Sequence, residues 1–172
     1  LYKEYVEAID LAKQILKRFG YSYMNTYNKD EKKLPPFWID MSKLFELYVY
    51  SLLKEEYKDF KIEFQKGTTR QIPDFLFIKE TDRMIIDTKY KLKYKGDWNL
   101  EDIRQLSGYA RTKNILDILK IHNQNETVVD CVIIYPNENS NDNFKDRKLK
   151  EDTIRQFTKF HTCGIKLPIK QQ

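Results

Sequence analysis

Asp74, Asp87 and Lys89 are the residues whose types and spacing invite chemistry. Asp74 follows Pro73 and opens the apolar run Phe75-Leu76-Phe77, while Asp87 and Lys89 lie in Met84-Ile85-Ile86-Asp87-Thr88-Lys89. Residues two apart on a strand point the same way, about 7 Å apart. Asp87 and Lys89 therefore share a face, and Thr88 takes the other. If the two runs pair as a hairpin, Asp74 comes close to Asp87. Two carboxylates and an ammonium on an apolar sheet are costly unless they hold a metal or take part in a reaction. Phosphodiester hydrolysis needs such a set, because a hard cation bound by a few oxygens offsets charge on the phosphate and leaves positions for water. Asp74 and Asp87 fit as ligands, and the backbone carbonyl of Thr88 adds another. Lys89 would hold or polarise the attacking water, or neutralise transition-state charge. A lysine beside two carboxylates keeps its proton more readily, which favours electrostatic help over general-base action.

Each residue has an ordinary explanation when read alone. Asp-x-Lys on a strand is common by chance, and an exposed ion pair of this kind is worth little. Glu46 by itself is a solvated helix residue. Gln105 and Tyr109 are four apart and share a helix face, as many polar pairs do. The basic run from Lys91 to Lys95 is an ordinary solvated loop, although Lys91 and Lys93 follow Lys89 closely enough to meet a DNA backbone. His122 and His161 have no evident partner and read as structural or exposed. The order of the set is more specific than any member: an acidic helix residue, Pro-Asp, Asp-x-Lys, then Gln-x-x-x-Tyr.

The elements that must position these residues follow from periodicity and punctuation. Helical spacing of Val6, Ile9, Ala12, Ile15, Leu16 and Phe19 predicts a helix over 2–19, ended by Gly20. A polar, tyrosine-rich loop follows to Pro35-Pro36. A second helix is expected from Met41 to Tyr57, capped by Asp40, with Glu46 bordering its apolar face. Strands are expected over 61–65, 72–78 and 83–90, the last two joined by the short turn 79–82. A single helix over 100–121 carries Gln105 and Tyr109. Thr127–Tyr135 reads as an apolar strand closed by Pro136. Residues 137–148 read as a polar loop, with weaker strands around 153–159 and 164–169. The order predicts an α/β fold with a mixed sheet flanked by helices. Residues 1–36 are expected to form an N-terminal helix and loop packed on a core of residues 37–172, in one globular domain.

The 172 residues suffice for one such core. The net charge of +5 permits a polyanionic partner without demonstrating one, since 31 basic residues face 26 acidic ones. Cys131 and Cys163 have no metal-ligand spacing, and Cys131 lies in an apolar run where a buried free thiol is the default. A reducing, cytoplasmic setting is the simplest reading. No apolar stretch reaches the ~18–20 residues of a membrane span, and no signal peptide is evident. The first residue is Leu, which suggests a processed chain or a domain cut from something longer.

Pro73-Asp74 and Asp87-Thr88-Lys89 resemble the defining motif of the PD-(D/E)XK nuclease superfamily, and Gln105-Leu106-Ser107-Gly108-Tyr109 looks like the QxxxY motif of its RecB-like branch. The blocks Phe37–Leu53, Ile72–Phe77, Met84–Lys91 and Asp102–Ala110 closely resemble the C-terminal nuclease region of McrC proteins, and Glu7–Leu16 resembles the segment before it. The resemblance spans about residues 1–136. It implies a restriction-endonuclease-like core and Mg²⁺-dependent double-strand DNA cleavage, with Mn²⁺ able to substitute. Asp74, Asp87 and Lys89 would be the catalytic set, Glu46 a contributor to the metal site, and Gln105 and Tyr109 supports or DNA contacts. It also implies a McrB-like AAA+ GTPase partner that recognises methylated DNA. Cutting both strands needs two active sites, hence a homodimer or two encounters. The alternatives are a RecB- or resolvase-like nuclease on ends or branched DNA, and a non-autonomous DNA- or partner-binding module that keeps the fold.

Overall fold

Asp40 begins the first helix of the sheet-bearing region. Its backbone is extended, and its Oδ1 accepts hydrogen bonds from the Ser42 and Lys43 N–H groups at 3.0 and 3.1 Å. Those are two of the donors a helix start leaves unpaired. The structure is a computed structural model that describes residues 9, 12–13, 39–80, 82–91, 98–137, 144, 149–150 and 152–168. The chain divides into two compact units, Leu1–Ile39 and Asp40–Gln172. In the first, Ile9, Ala12 and Lys13 are helical. The rest of the predicted opening helix, the tyrosine-rich loop and Lys93 lie outside the described residues.

In the second unit, helix α1 is Met41–Glu56, followed by strands β1 (Lys61–Phe64), β2 (Phe75–Lys79) and β3 (Asp82–Thr88). Helices α2 (Leu100–Tyr109) and α3 (Lys113–Ile118) lead to β4 (Asp130–Pro136), β5 (Asp152–Thr153) and β6 (Phe160–Ile165). The six strands form one mixed sheet in the order β1-β2-β3-β4-β6-β5. β1, β2 and β3 are antiparallel neighbours, β4 runs parallel to β3 and to β6, and β5 is antiparallel to β6. The expected α/β architecture, a mixed sheet flanked by helices, is observed.

The sheet has a core on each face, which explains why β2 to β4 read as nearly continuous apolar runs. Phe45, Val49 and Leu53 of α1 pack on Phe75, Phe77, Met84, Ile86, Val132 and Ile134. Ile103, Leu106 and Tyr109 of α2 join Ile115, Leu116 and Leu119 over Leu76, Ile85, Cys131 and Ile133. Cys131 and Cys163 are free, buried thiols, and burial pushes the Cys131 thiol up to about 12. Among the described residues no helix is long and apolar enough to cross a membrane.

Three expectations are corrected. The single helix over 100–121 is two helices. The Thr112 hydroxyl bonds Gly108 O at 2.9 Å and also Gln71 Oε1, while 3₁₀-type bonds from Arg111 to Gly108 and from Thr112 to Tyr109 tighten the turn. Both halves face the same core, so the apolar periodicity continues across the break. Second, β4 begins at Asp130 rather than Thr127: Thr127 N is held by Asn123 O at 3.1 Å in the preceding turn, and pairing starts with Met84↔Asp130 and with Cys131 N on Lys159 O. Third, residues 154–159 are not a strand. Ile154 and Phe157 are three apart, the spacing of a turn, and the turn closes through Phe157 N to Ile154 O and Ile154 N to Phe160 O. β5 is only Asp152–Thr153, and the later strand begins at Phe160.

Candidate active site

β2 pairs with β3 through Phe75↔Ile86, so the next pair in that register is Asp74 and Asp87. The hairpin brings together two carboxylates that are 13 positions apart in sequence. The Asp74 carboxylate accepts two bonds on Oδ2, from Thr88 N and Thr88 Oγ1, each at 2.6 Å. Pro73 has no N–H with which to continue the ladder at this end. Thr88 N–H points towards β2, and the carbonyl of the same strand residue points to the same edge. The other side of β3 ends at a proline as well. Lys89 N donates to Ile134 O at 2.8 Å, residue 136 cannot supply the next rung, and Lys89 O accepts from Lys91 N instead at 2.9 Å. Two prolines thus release the strand ends where the charged groups gather.

Asp87 is 2% exposed. Burial first, then the charge of Asp74, pushes its carboxyl up to about 7 against the opposing effect of Lys89. The Lys89 ammonium touches Asp87 Oδ2. That ammonium is the one partner of this buried oxygen among the described residues. Lys89 donates to Gln105 Oε1 at 2.8 Å, and Gln105 Nε2 donates to the Tyr109 hydroxyl at 2.6 Å. Burial alone would push the lysine down, but Asp87 outweighs it and the ammonium is held above its ordinary range. Burial also raises the Tyr109 hydroxyl. The Gln-x-x-x-Tyr pair of α2 therefore steadies the lysine by a chain of hydrogen bonds.

Glu46 reaches this end from α1, on the opposite face of the sheet from α2. It is 7% exposed and accepts from Lys43 Nζ at 2.9 Å and Gln65 Nε2 at 2.7 Å. Burial first, with Asp74 adding, raises its carboxyl despite Lys43. Among the described residues no three His, Cys, Asp or Glu side chains stand together as a ready metal-holding group. Asp74 and Asp87 are the close pair, and Glu46 is coupled to Asp74. In donor type the pair fits a hard cation, since carboxylate oxygens suit Mg²⁺ and Asp87 Oδ2 has only the Lys89 ammonium as partner among the described residues.

Sequence reasoning missed Gln65, Lys43 and Asp102. Gln65 sits at φ 47°, donates its N–H to Asp74 O at 2.8 Å, and grips Glu46. No local pattern marks it. Asp102 is 5% exposed and binds Lys91 Nζ at 2.9 and 3.1 Å, so Lys91 ties the end of β3 to the first turn of α2. In sequence Asp102 is one acid among several at a helix start. His161, which reads from sequence as structural or exposed, is structural and has partners that the sequence does not show. It is buried, with Nε2 3.0 Å from Asp130 Oδ1 and Nδ1 3.1 Å from Thr153 Oγ1. Those partners lie on other strands, and Lys150 joins Asp130 to Asp82 nearby. His122 is exposed. A cleft of about 760 Å³ beside α3, lined by Arg111, Lys113, Gln124, Cys131, Gln156 and Phe157, contains none of the charged set.

Among solved structures, the chain is similar to a chain of the tetradecameric assembly of Thermococcus gammatolerans McrB AAA+ hexamers with bound McrC. The identity is 19% and the TM-score 0.49, with 76% of this chain and 29% of that chain covered. This chain therefore spans less than a third of the length of the protein it matches. No curated protein matches it. Residues 1–119, which include Glu46, Asp74, Asp87, Lys89, Gln105 and Tyr109, match the family described as McrBC 5-methylcytosine restriction system component. With well over half its length matched, the chain belongs to that family.

Proposed function

We propose that this chain is a PD-(D/E)XK-type nuclease domain of a McrC-like restriction subunit, an Mg²⁺-dependent endonuclease on double-stranded DNA. The observation that carries the reading is the meeting of Asp74, Asp87 and Lys89 at the ends of β2 and β3, with Lys89 held from α2 by Gln105. Asp74, Asp87 and the Thr88 carbonyl would hold the metal, with Glu46 beside Asp74. A bound Mg²⁺ would supply an activated water and offset phosphate charge. The residues themselves do the rest. Lys89 stays charged and stabilises negative charge growing on the phosphate, and Gln105 and Tyr109 keep it aimed. Thr88 fixes Asp74 through two bonds, so that carboxylate is oriented before substrate arrives.

Family membership supports the next step, in which a McrB-like AAA+ GTPase directs the domain to modified DNA; cutting both strands would then take two copies or two encounters. Asp74→Ala and Lys89→Ala should each abolish Mg²⁺-dependent cleavage of a methylated duplex, assayed with the GTPase partner and GTP, while leaving circular dichroism unchanged. Undiminished cleavage by either variant would sink the assignment. Cleavage of branched DNA or free ends without the partner would favour a RecB- or resolvase-like enzyme.

A further inference from the structure

The loop between β1 and β2 is fastened more tightly than a connector needs. Thr68 N bonds Gln71 O at 3.0 Å, and Gln71 N returns to Thr68 O at 3.3 Å and to Thr68 Oγ1 at 3.2 Å. The Gln71 side chain is gripped by the Thr112 hydroxyl at the α2–α3 corner. At Gly67 a Cβ would meet Gln71 O at 2.0 Å, so this close approach tolerates only glycine. Gln65, at φ 47°, fixes the loop start to Asp74 and to Glu46 of α1. The left-handed region is unusual for a residue other than glycine, and such conformations gather where a structure over-determines them for use.

What this frame presents is exposed. Thr69 and Arg70 face solvent, and Ile72 is 46% exposed two residues before Asp74. Lys66 is paired with Glu63 at 3.0 Å, whereas Arg70 has no ion pair among the described residues. A lone exposed isoleucine needs no explanation by itself. An isoleucine and an unpaired arginine on a stiff frame, within a few residues of the candidate catalytic acid, are a ready contact surface that loses little freedom on binding.

We propose that the loop from Gln65 to Ile72 seats duplex DNA against the site, with Arg70 on a backbone phosphate and Ile72 against the sugars and base edges of the groove. The inference rests on the DNA-cleavage reading and adds the element that holds the substrate. Phosphate contacts fix register and supply salt-dependent affinity, and apolar side chains commonly press into the groove.

The test is fluorescence anisotropy of the 172-residue chain with a labelled duplex in EDTA, where no cut can occur. Arg70→Ala should weaken binding about tenfold and make the salt slope shallower by about 0.9. Ile72→Ala should weaken it about fivefold with the slope unchanged. Gly67→Ala keeps both contact side chains and should weaken binding through loop geometry, at unchanged helix content. Arg155→Ala, at the far end of the sheet, should bind as wild type. Wild-type binding that survives both Arg70→Ala and Ile72→Ala, or that falls as far in Arg155→Ala, overturns the inference and leaves the nuclease reading standing. A wild-type chain that binds no duplex at any salt also overturns the inference, while the nuclease reading stands or falls on the cleavage assay with the GTPase partner.

Discussion

Replacing Asp87 by Asn should make the protein more stable while destroying its proposed activity. Burial and Asp74 raise the Asp87 carboxyl from 3.8 to about 7. Each unit corresponds to about 1.4 kcal/mol, so the folded state carries a penalty of up to ~4 kcal/mol for an ionised Asp87 above neutral pH. Water at the strand ends and relaxation of Lys89 reduce this, leaving an expected gain of about 2 kcal/mol for the neutral isostere. The direction with pH follows from proton binding. The folded carboxyl keeps its proton to higher pH than the unfolded one, so wild-type stability falls as pH rises from about 4 to about 7. The Asn variant lacks that slope. The two proteins should melt together near pH 4, and the variant should melt about 4–8 °C higher at pH 8. Thermal melts at intervals across that range measure the gap, and Mg²⁺ should raise the wild-type midpoint without moving the variant. A variant that melts below wild type at pH 8, or a gap indifferent to pH, would refute the account of Asp87 as a strained buried charge.

Thr88→Val keeps the backbone bond to Asp74 but deletes the hydroxyl bond at 2.6 Å. It should cost about 1 kcal/mol in denaturant titrations and weaken Mg²⁺ affinity by calorimetry, so unaltered affinity would mean Thr88 does not orient Asp74. His161→Ala removes the link between Asp130 and Thr153 at the other end of the sheet. It should cost about 1–3 kcal/mol of stability and leave metal affinity and cleavage rate at wild-type values, measured below the melting temperature.

Much of the site was legible because its signals are local. Strand alternation put Asp87 and Lys89 on one face, and two short apolar runs around a tight turn put Asp74 opposite Asp87. Helical spacing set Gln105 and Tyr109 together, although it did not reveal that Gln105 holds Lys89. The helix break at Ala110–Thr112 was invisible, because both halves bury residues in one core and the hydroxyl partner, Gln71, is 41 positions away.

Residue types, their order and the period of the elements that carry them are local properties, readable from neighbours a few positions apart. Which charges are paired and which are strained depends on the folded chain. Lys91 goes to the buried Asp102, Glu46 to Lys43 and Gln65 on the α1 side, and His161 to Asp130. Asp87 is left buried beside Asp74, with Lys89 as the partner of its Oδ2. The physical reason is that burial and partnership depend on distances across the sheet. A carboxylate in water and the same carboxylate beneath a helix differ by several kcal/mol, yet they are the same letter in the chain.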